Sequence, residues 1–172
     1  MLPRSFFARP APDVARDLLG KELVRRLPDG RLLRTAITET EAYEGFEDQA
    51  SHAHRGKTPR NAVMFGPPGH IYLYLCYGMH WLLNITTGPE NHPAAVLIRG
   101  CTLAAGPGRL TRALHLGKAE NLLPLGTKSG LWLNHRSGVP ETEILTTPRI
   151  GIDYAGAPWK QIPWRFLHAK KP

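Results

Sequence analysis

Apolar and polar positions along this chain sort into short segments set apart by 17 glycines and 16 prolines, punctuation that predicts many tight turns between small elements. Residues 12–20 place proline near a helix start, Asp13 in the first turn and Gly20 past the end, which predicts a short N-terminal helix. Glu22 to Leu27 and the segment from Arg31 read as two strands around Pro28-Asp29-Gly30, and the second strand runs long, through Tyr43. Thr58 to Phe65 opens with a capping threonine and Pro59 and is broken by Gly66-Pro67-Pro68-Gly69, predicting another short helix. Ile71–Cys76 and Trp81–Thr87 are rich in aromatic and branched residues and predict a hairpin with its apex near Tyr77-Gly78. Val96–Arg99 and Trp164–His168 read as further strands, and Arg109–Leu116 as an amphipathic helix stopped by Gly117. No repeat or linker interrupts the 172 residues. The order predicts a single mixed domain over 1–172 of class α+β, with a curved, largely antiparallel sheet, short helices and a protruding β-hairpin.

Composition narrows the function classes. Apolar residues at 42% and charged residues at 21% are ordinary for a globular chain, but the net charge of +8 favours polyanions, either nucleic acid or an anionic membrane surface. The longest apolar run, Ile71 to Tyr77, is far short of the roughly 20 residues a spanning helix needs, so no membrane span is expected. The N-terminus lacks the apolar stretch of a secretory signal, and a cytoplasmic location is expected. Cys76 and Cys101 have no CxxC spacing, so a zinc ribbon, a four-cysteine cluster and a disulfide framework all lack their ligands. His52 and His54 form an HxH pair without a third ligand at a convincing spacing, and no metal or cofactor is expected. Walker, nucleophile-elbow and dinucleotide signatures are absent too.

Three groups of residues remain as candidates for chemistry. Glu39, Glu41 and Tyr43 alternate along a strand and project from one face, with the carboxylates roughly 6.5–7 Å apart at about 3.3 Å per residue. That separation touches the lower end of the range for a glycosidic acid and base, and an exposed acidic strand face is the alternative. Tyr72 and Tyr74 on one strand, with Trp81 and Asn84 on the next, suit stacking on bases or packing in a core. Tyr77, beside a turn glycine, has little strand to pack on, so its exposure needs a reason. The loop His54-Arg55-Gly56-Lys57-Thr58-Pro59-Arg60 either grips phosphate or is a solvated basic loop.

Taken together, Glu39-Thr40-Glu41-Ala42-Tyr43, Asp48-Gln49-Ala50-Ser51-His52, Thr58-Pro59-Arg60-Asn61, Met64-Phe65, Tyr72-Leu73-Tyr74, Tyr77-Gly78-Met79, Asn84-Ile85 and Val96-Leu97-Ile98-Arg99 resemble the alkyladenine DNA glycosylases. These are methylpurine glycosylases of the animal type, distinct from the helix-hairpin-helix enzymes. Gly106-Pro107-Gly108-Arg109-Leu110 and Arg149-Ile150-Gly151-Ile152 extend the likeness toward the C-terminus. The resemblance implies a monomer that takes double-stranded DNA with damaged purines as its partner, without metal or cofactor, flips the lesion out and hydrolyses its glycosidic bond without lyase chemistry. It implies Glu41 as general base and Arg99 as the residue that helps hold the attacking water, with the Ile150 carbonyl nearby. Tyr43, His52 and Tyr74 match the residues that sandwich the extruded base, and Asn84 the one that crowds out guanine. Tyr77 matches the intercalating wedge, and Lys57, Thr58 and Met79 are expected to make further DNA contacts, while Glu39 has no part in this scheme. The loop between His52 and Thr58 is one residue shorter than in animal members, and His80 stands where several carry an aromatic. The alternative reading is a non-catalytic nucleic-acid-binding domain with a stacking hairpin.

Overall fold

A computed structural model describes residues 1–170. In chain order the elements are α1 (Arg4–Phe7), α2 (Ala11–Asp17), β1 (Glu22–Arg26), β2 (Leu32–Glu44), β3 (Ile71–Cys76), β4 (His80–Thr86), β5 (Ala94–Cys101), β6 (Ala104–Ala105), α3 (Pro107–Ala113), β7 (Leu131–Asn134), β8 (Ile144–Thr147) and β9 (Arg165–His168). Among the described residues nine strands form one open sheet along the path β3-β4-β5-β2-β1-β7, with β6 beside β5 and β9 joining β8 to β2. All of the strand pairs are antiparallel, and the few helices are short, so the α+β expectation holds.

β2 organises the rest because it is long enough to serve several partners. Its first residues pair with β1, and its second half pairs with β5 and β9 at once. The register against β5 shifts between Ile37 and Glu39 and again between Glu39 and Thr40, irregularities that bend a strand and re-aim its side chains. That is where the two glutamates lie.

Strand alternation divides the sheet into a dry face and a wet one. On β3, Ile71 and Leu73 enter the main core, as do Leu83 and Ile85 on β4 and Val96 and Ile98 on β5. They pack with Val14, Ala15, Leu18 and Leu19 of the α2 region and with Leu110 of α3. Each such buried side chain contributes about 1.5–3 kcal/mol over an exposed one. The Thr40 hydroxyl ties β2 to the helix by donating to the Ala15 carbonyl at 2.7 Å. The intervening residues, Tyr72 and Tyr74, Leu82 and Asn84, Ala95, Leu97 and Arg99, line a cleft of about 940 Å³ on the other face.

Several expectations need correction. Thr58–Phe65 is not an α-helix: only Ala62–Phe65 coils, as a 3₁₀ turn. Asn61 explains it, since its Oδ1 accepts the Thr58 N–H at 2.7 Å while its Nδ2 donates to the His52 carbonyl at 2.8 Å and the Gly56 carbonyl at 3.0 Å. These side-chain bonds compete with helical ones. α3 starts two residues before Arg109 and stops at Ala113, with His115 already at φ 50°. β7 and β8 are strands that the sequence pattern did not announce. The hairpin is as expected: β3 and β4 pair from Ile71↔Ile85 to Cys76↔His80, and Tyr77 and Gly78 take positive φ of 51° and 69°, as in the turns that suit strand twist.

Candidate active site

Glu41, in the second half of β2, is wholly buried, with 0% of its surface exposed. A buried carboxylate must be compensated, and three groups do so. The Tyr43 hydroxyl donates to Oε2 at 2.9 Å, the Ile150 N–H donates to Oε1 at 2.8 Å, and Arg99 Nε stands 3.5 Å from Oε1. Tyr43, Arg99 and Ile150 all line the cleft, so the carboxylate sits directly behind its wall. Burial lifts the Glu41 carboxyl above its ordinary value against the pull of Arg99, the Ile150 amide and Tyr43. The Tyr43 phenol is pushed well above its ordinary range, first by burial and then by the Glu41 charge, so it stays protonated and donates.

Glu39 is not on an open acidic face. Its Oε1 accepts from Arg99 Nε at 2.9 Å and from Arg165 Nε at 2.7 Å. The two carboxylates therefore converge on a single guanidinium nitrogen, with no room for the independent acid and base that strand spacing suggested.

Aromatic rings make the upper wall. His52 meets Tyr74 edge to face, with centroids 4.5 Å apart, and its Nδ1 lies 3.0 Å from the Tyr72 hydroxyl. Partial burial, then the Arg60 charge, hold the imidazole below its ordinary value, so it is neutral at physiological pH. Tyr72 is pushed up to about 12 by burial, and Tyr74 is raised as well. Tyr72 borders the cleft but is almost wholly buried, so it supports the wall rather than offering an open stacking face. Asn84 is buried at the back of the cleft, where its Nδ2 donates to the Tyr72 and Leu82 carbonyls at 3.2 and 3.3 Å. His54 turns away to the Phe46 carbonyl, so the HxH pair does not converge. Among the described residues no three His, Cys, Asp or Glu side chains are grouped to hold a metal.

The rim is exposed and basic. Tyr77 is 89% exposed and Met79 70%, both at the hairpin tip, and Tyr77 borders the cleft. Lys57 lies outside the cleft, its Nζ 5.6 Å above the Phe65 ring, and the Thr58 hydroxyl is used to accept the Asn61 N–H at 3.3 Å. Arg60, from the basic loop singled out as a candidate phosphate grip, lines the cleft, and so do Arg109 and Arg112, to which sequence reasoning gave no part. It also gave no part to Arg149, which holds Asp48 through two bonds of 2.6 and 2.8 Å, both side chains wholly buried. The Arg149 guanidinium carbon lies 4.8 Å over the Tyr43 ring, so the pair buttresses that wall. The signal available was an arginine in an otherwise apolar, glycine-bearing segment, which asks for a buried partner.

The sequence profile of methylpurine-DNA glycosylase matches residues 5–104 and 101–172. The chain belongs to this family. A relative from Methanocella arvoryzae, provisionally named a 3-methyladenine DNA glycosylase, is 43% identical over 192 residues, covering 100% of this chain and 94% of its own. Proteins with the same provisional name from Anaeromyxobacter dehalogenans and Myxococcus xanthus are 46% and 47% identical, covering 96% and 95% of this chain and 82% and 88% of theirs. These relatives of the methylpurine-DNA glycosylase family are archaeal and bacterial. The affiliation stands at the level of the family, and the animal-type expectation goes no further than the resemblance that suggested it.

Proposed function

We propose that this protein releases alkylated or deaminated purines from duplex DNA, extruding the damaged nucleotide into the cleft and hydrolysing its N-glycosidic bond with water activated by Glu41. One observation carries the reading: a fully buried carboxylate, lifted above its ordinary value, held just behind a cleft walled by aromatic rings. Burying Glu41 costs stability, and a surface that only bound nucleic acid would have no use for it.

In this mechanism Tyr77 fills the space left in the helix, and extrusion costs least where the lesion has already weakened pairing. Lys57, Thr58 and Met79 steady the flanking strand. The extruded base lies among Tyr43, His52 and Tyr74, whose neutral rings attract a cationic methylpurine through their π-faces. Asn84 at the back wall disfavours the extra amino group of guanine, and a small steric penalty suffices for useful discrimination. Arg99 and the Ile150 backbone orient a water on the sugar. Glu41 takes a proton from that water as its oxygen bonds to C1′, and the pair of electrons in the C1′–N bond leaves with the base. A cationic purine departs neutral, leaving a hydroxylated abasic sugar, whereas a neutral deaminated purine departs as an anion and takes its proton from solvent. No lysine lines the cleft among the described residues, in keeping with hydrolysis alone. The chain acts in this reading as one domain and as a monomer.

The test is release of free base from methylated duplex DNA by the parent and by Glu41→Gln. The amide should bind lesion DNA but release base about 10²–10⁴ times more slowly. A parent protein that binds DNA and frees no base would leave only a stacking, nucleic-acid-binding domain.

A further inference from the structure

Glu39 has no part in the mechanism above, yet it sits where it governs Arg99. Its Oε1 holds Arg99 Nε at 2.9 Å and Arg165 Nε at 2.7 Å, while the same Arg99 nitrogen stands 3.5 Å from Glu41. One guanidinium is thus shared unequally, bonded to Glu39 and merely near Glu41. Arg99, Glu39 and Arg165 are all largely buried, so little water screens the exchange. The register shifts on either side of Glu39 bring it beside Glu41 at this nitrogen.

We propose that Glu39 is a positioning residue that holds Arg99 back from Glu41 and so sets how readily Glu41 accepts a proton. The inference rests on Glu41 being the base. A carboxylate gripped by a guanidinium is a poor base, whereas the same buried carboxylate beside a guanidinium engaged elsewhere is a better one. Other groups also face Glu41: the Tyr43 hydroxyl from its own strand, the Ile150 amide, Tyr74 from β3, Tyr154, and Arg149 behind Tyr43. The three phenols are all raised above an ordinary value already well above neutral pH and stay protonated, and Arg149 is matched by Asp48, which leaves Glu39, Arg99 and Arg165 as the charges that tune it.

Two substitutions should move Glu41 in opposite directions. Glu39→Gln removes a neighbouring negative charge and frees Arg99 to pair with Glu41, so the Glu41 midpoint falls by about one pH unit. Arg165→Gln removes a positive charge and leaves Glu39 wholly to Arg99, so the midpoint rises. Carbon NMR of the full chain labelled at the glutamate carboxyls reads it, with Glu41 assigned by the resonance missing in Glu41→Gln. The acid limb of 3-methyladenine release from methylated duplex DNA should follow the same shifts. A merely structural role would lower rates or melting temperature without displacing the midpoint in opposite senses. Midpoints that stay put, or that move together, overturn the proposal. Should Glu39→Gln not fold, Arg165→Gln decides alone: a rise supports it and anything else sinks it. Absence of base release by the parent would count against the glycosylase reading, while the carboxyl midpoints would still decide the role of Glu39.

Discussion

Replacing Tyr77 by Ser should separate recognition from folding. With 89% of the residue exposed and φ at 51°, the side chain buries almost nothing, and serine occupies that backbone region no worse than tyrosine. Stability should therefore change by no more than about 0.5 kcal/mol. The loss belongs to the extruded state, where stacking of an aromatic in the vacated gap contributes about 1–3 kcal/mol. At 1.36 kcal/mol per decade this is about 5- to 150-fold in the rate of base release when extrusion limits it. The deficit should be larger for hypoxanthine opposite cytosine, which pairs stably, than opposite thymine, where less unstacking energy has to be found. Single-turnover release from the two duplexes, with a melting curve for each protein, measures all three quantities. Equal losses opposite both partners would refute the wedge, and a large drop in melting temperature would show that Tyr77 supports the fold after all.

Asp48→Asn should be among the most damaging single changes, because it leaves the Arg149 guanidinium buried and uncompensated; a loss of about 3–5 kcal/mol is expected, read by chemical denaturation, and a change below about 1 kcal/mol would show that the pair is not a buttress. Glu41 is raised in the folded state, so the stability it lends is present below its unfolded value and lost as pH rises through the folded one. Glu41→Gln should therefore be more stable than the parent at pH 7, with the gap closing toward about pH 4; a less stable variant at pH 7 would refute the sign. Lys57→Ala should reduce the salt slope of binding to undamaged DNA by about one, and an unchanged slope would place Lys57 off the interface.

What the sequence made legible was local. The hairpin could be read because β-branched and aromatic runs flank a turn glycine, and the exposure of Tyr77 followed from its place at the apex. β2 could be read for the same reason. The charge network could not, since Glu39 finds Arg99 60 positions away and Arg165 126 positions away, and Asp48 finds Arg149 across 101. Two glutamates on a strand of a basic protein look solvent-facing until one knows that the strand is flanked by β5 and β9. Asn61 misled in the other direction: a helix-start signature is overridden when the side chain can close its own turn.

The alternation along β4 has an evolutionary consequence. Leu82 and Asn84 face the cleft, whereas Leu83 and Ile85 belong to the core, so heredity can alter pocket and scaffold on separate residues of one strand. If the cleft takes the lesion as proposed, a lineage meeting new lesions can resize its wall by point substitution at alternate positions and keep its folding intact. Insertion of one residue is another matter, because it would exchange the two faces at a stroke. The strand is therefore tolerant of drift in spelling and intolerant of drift in length, and relatives with different lesion preferences should vary here by substitution, with gaps confined to the loops.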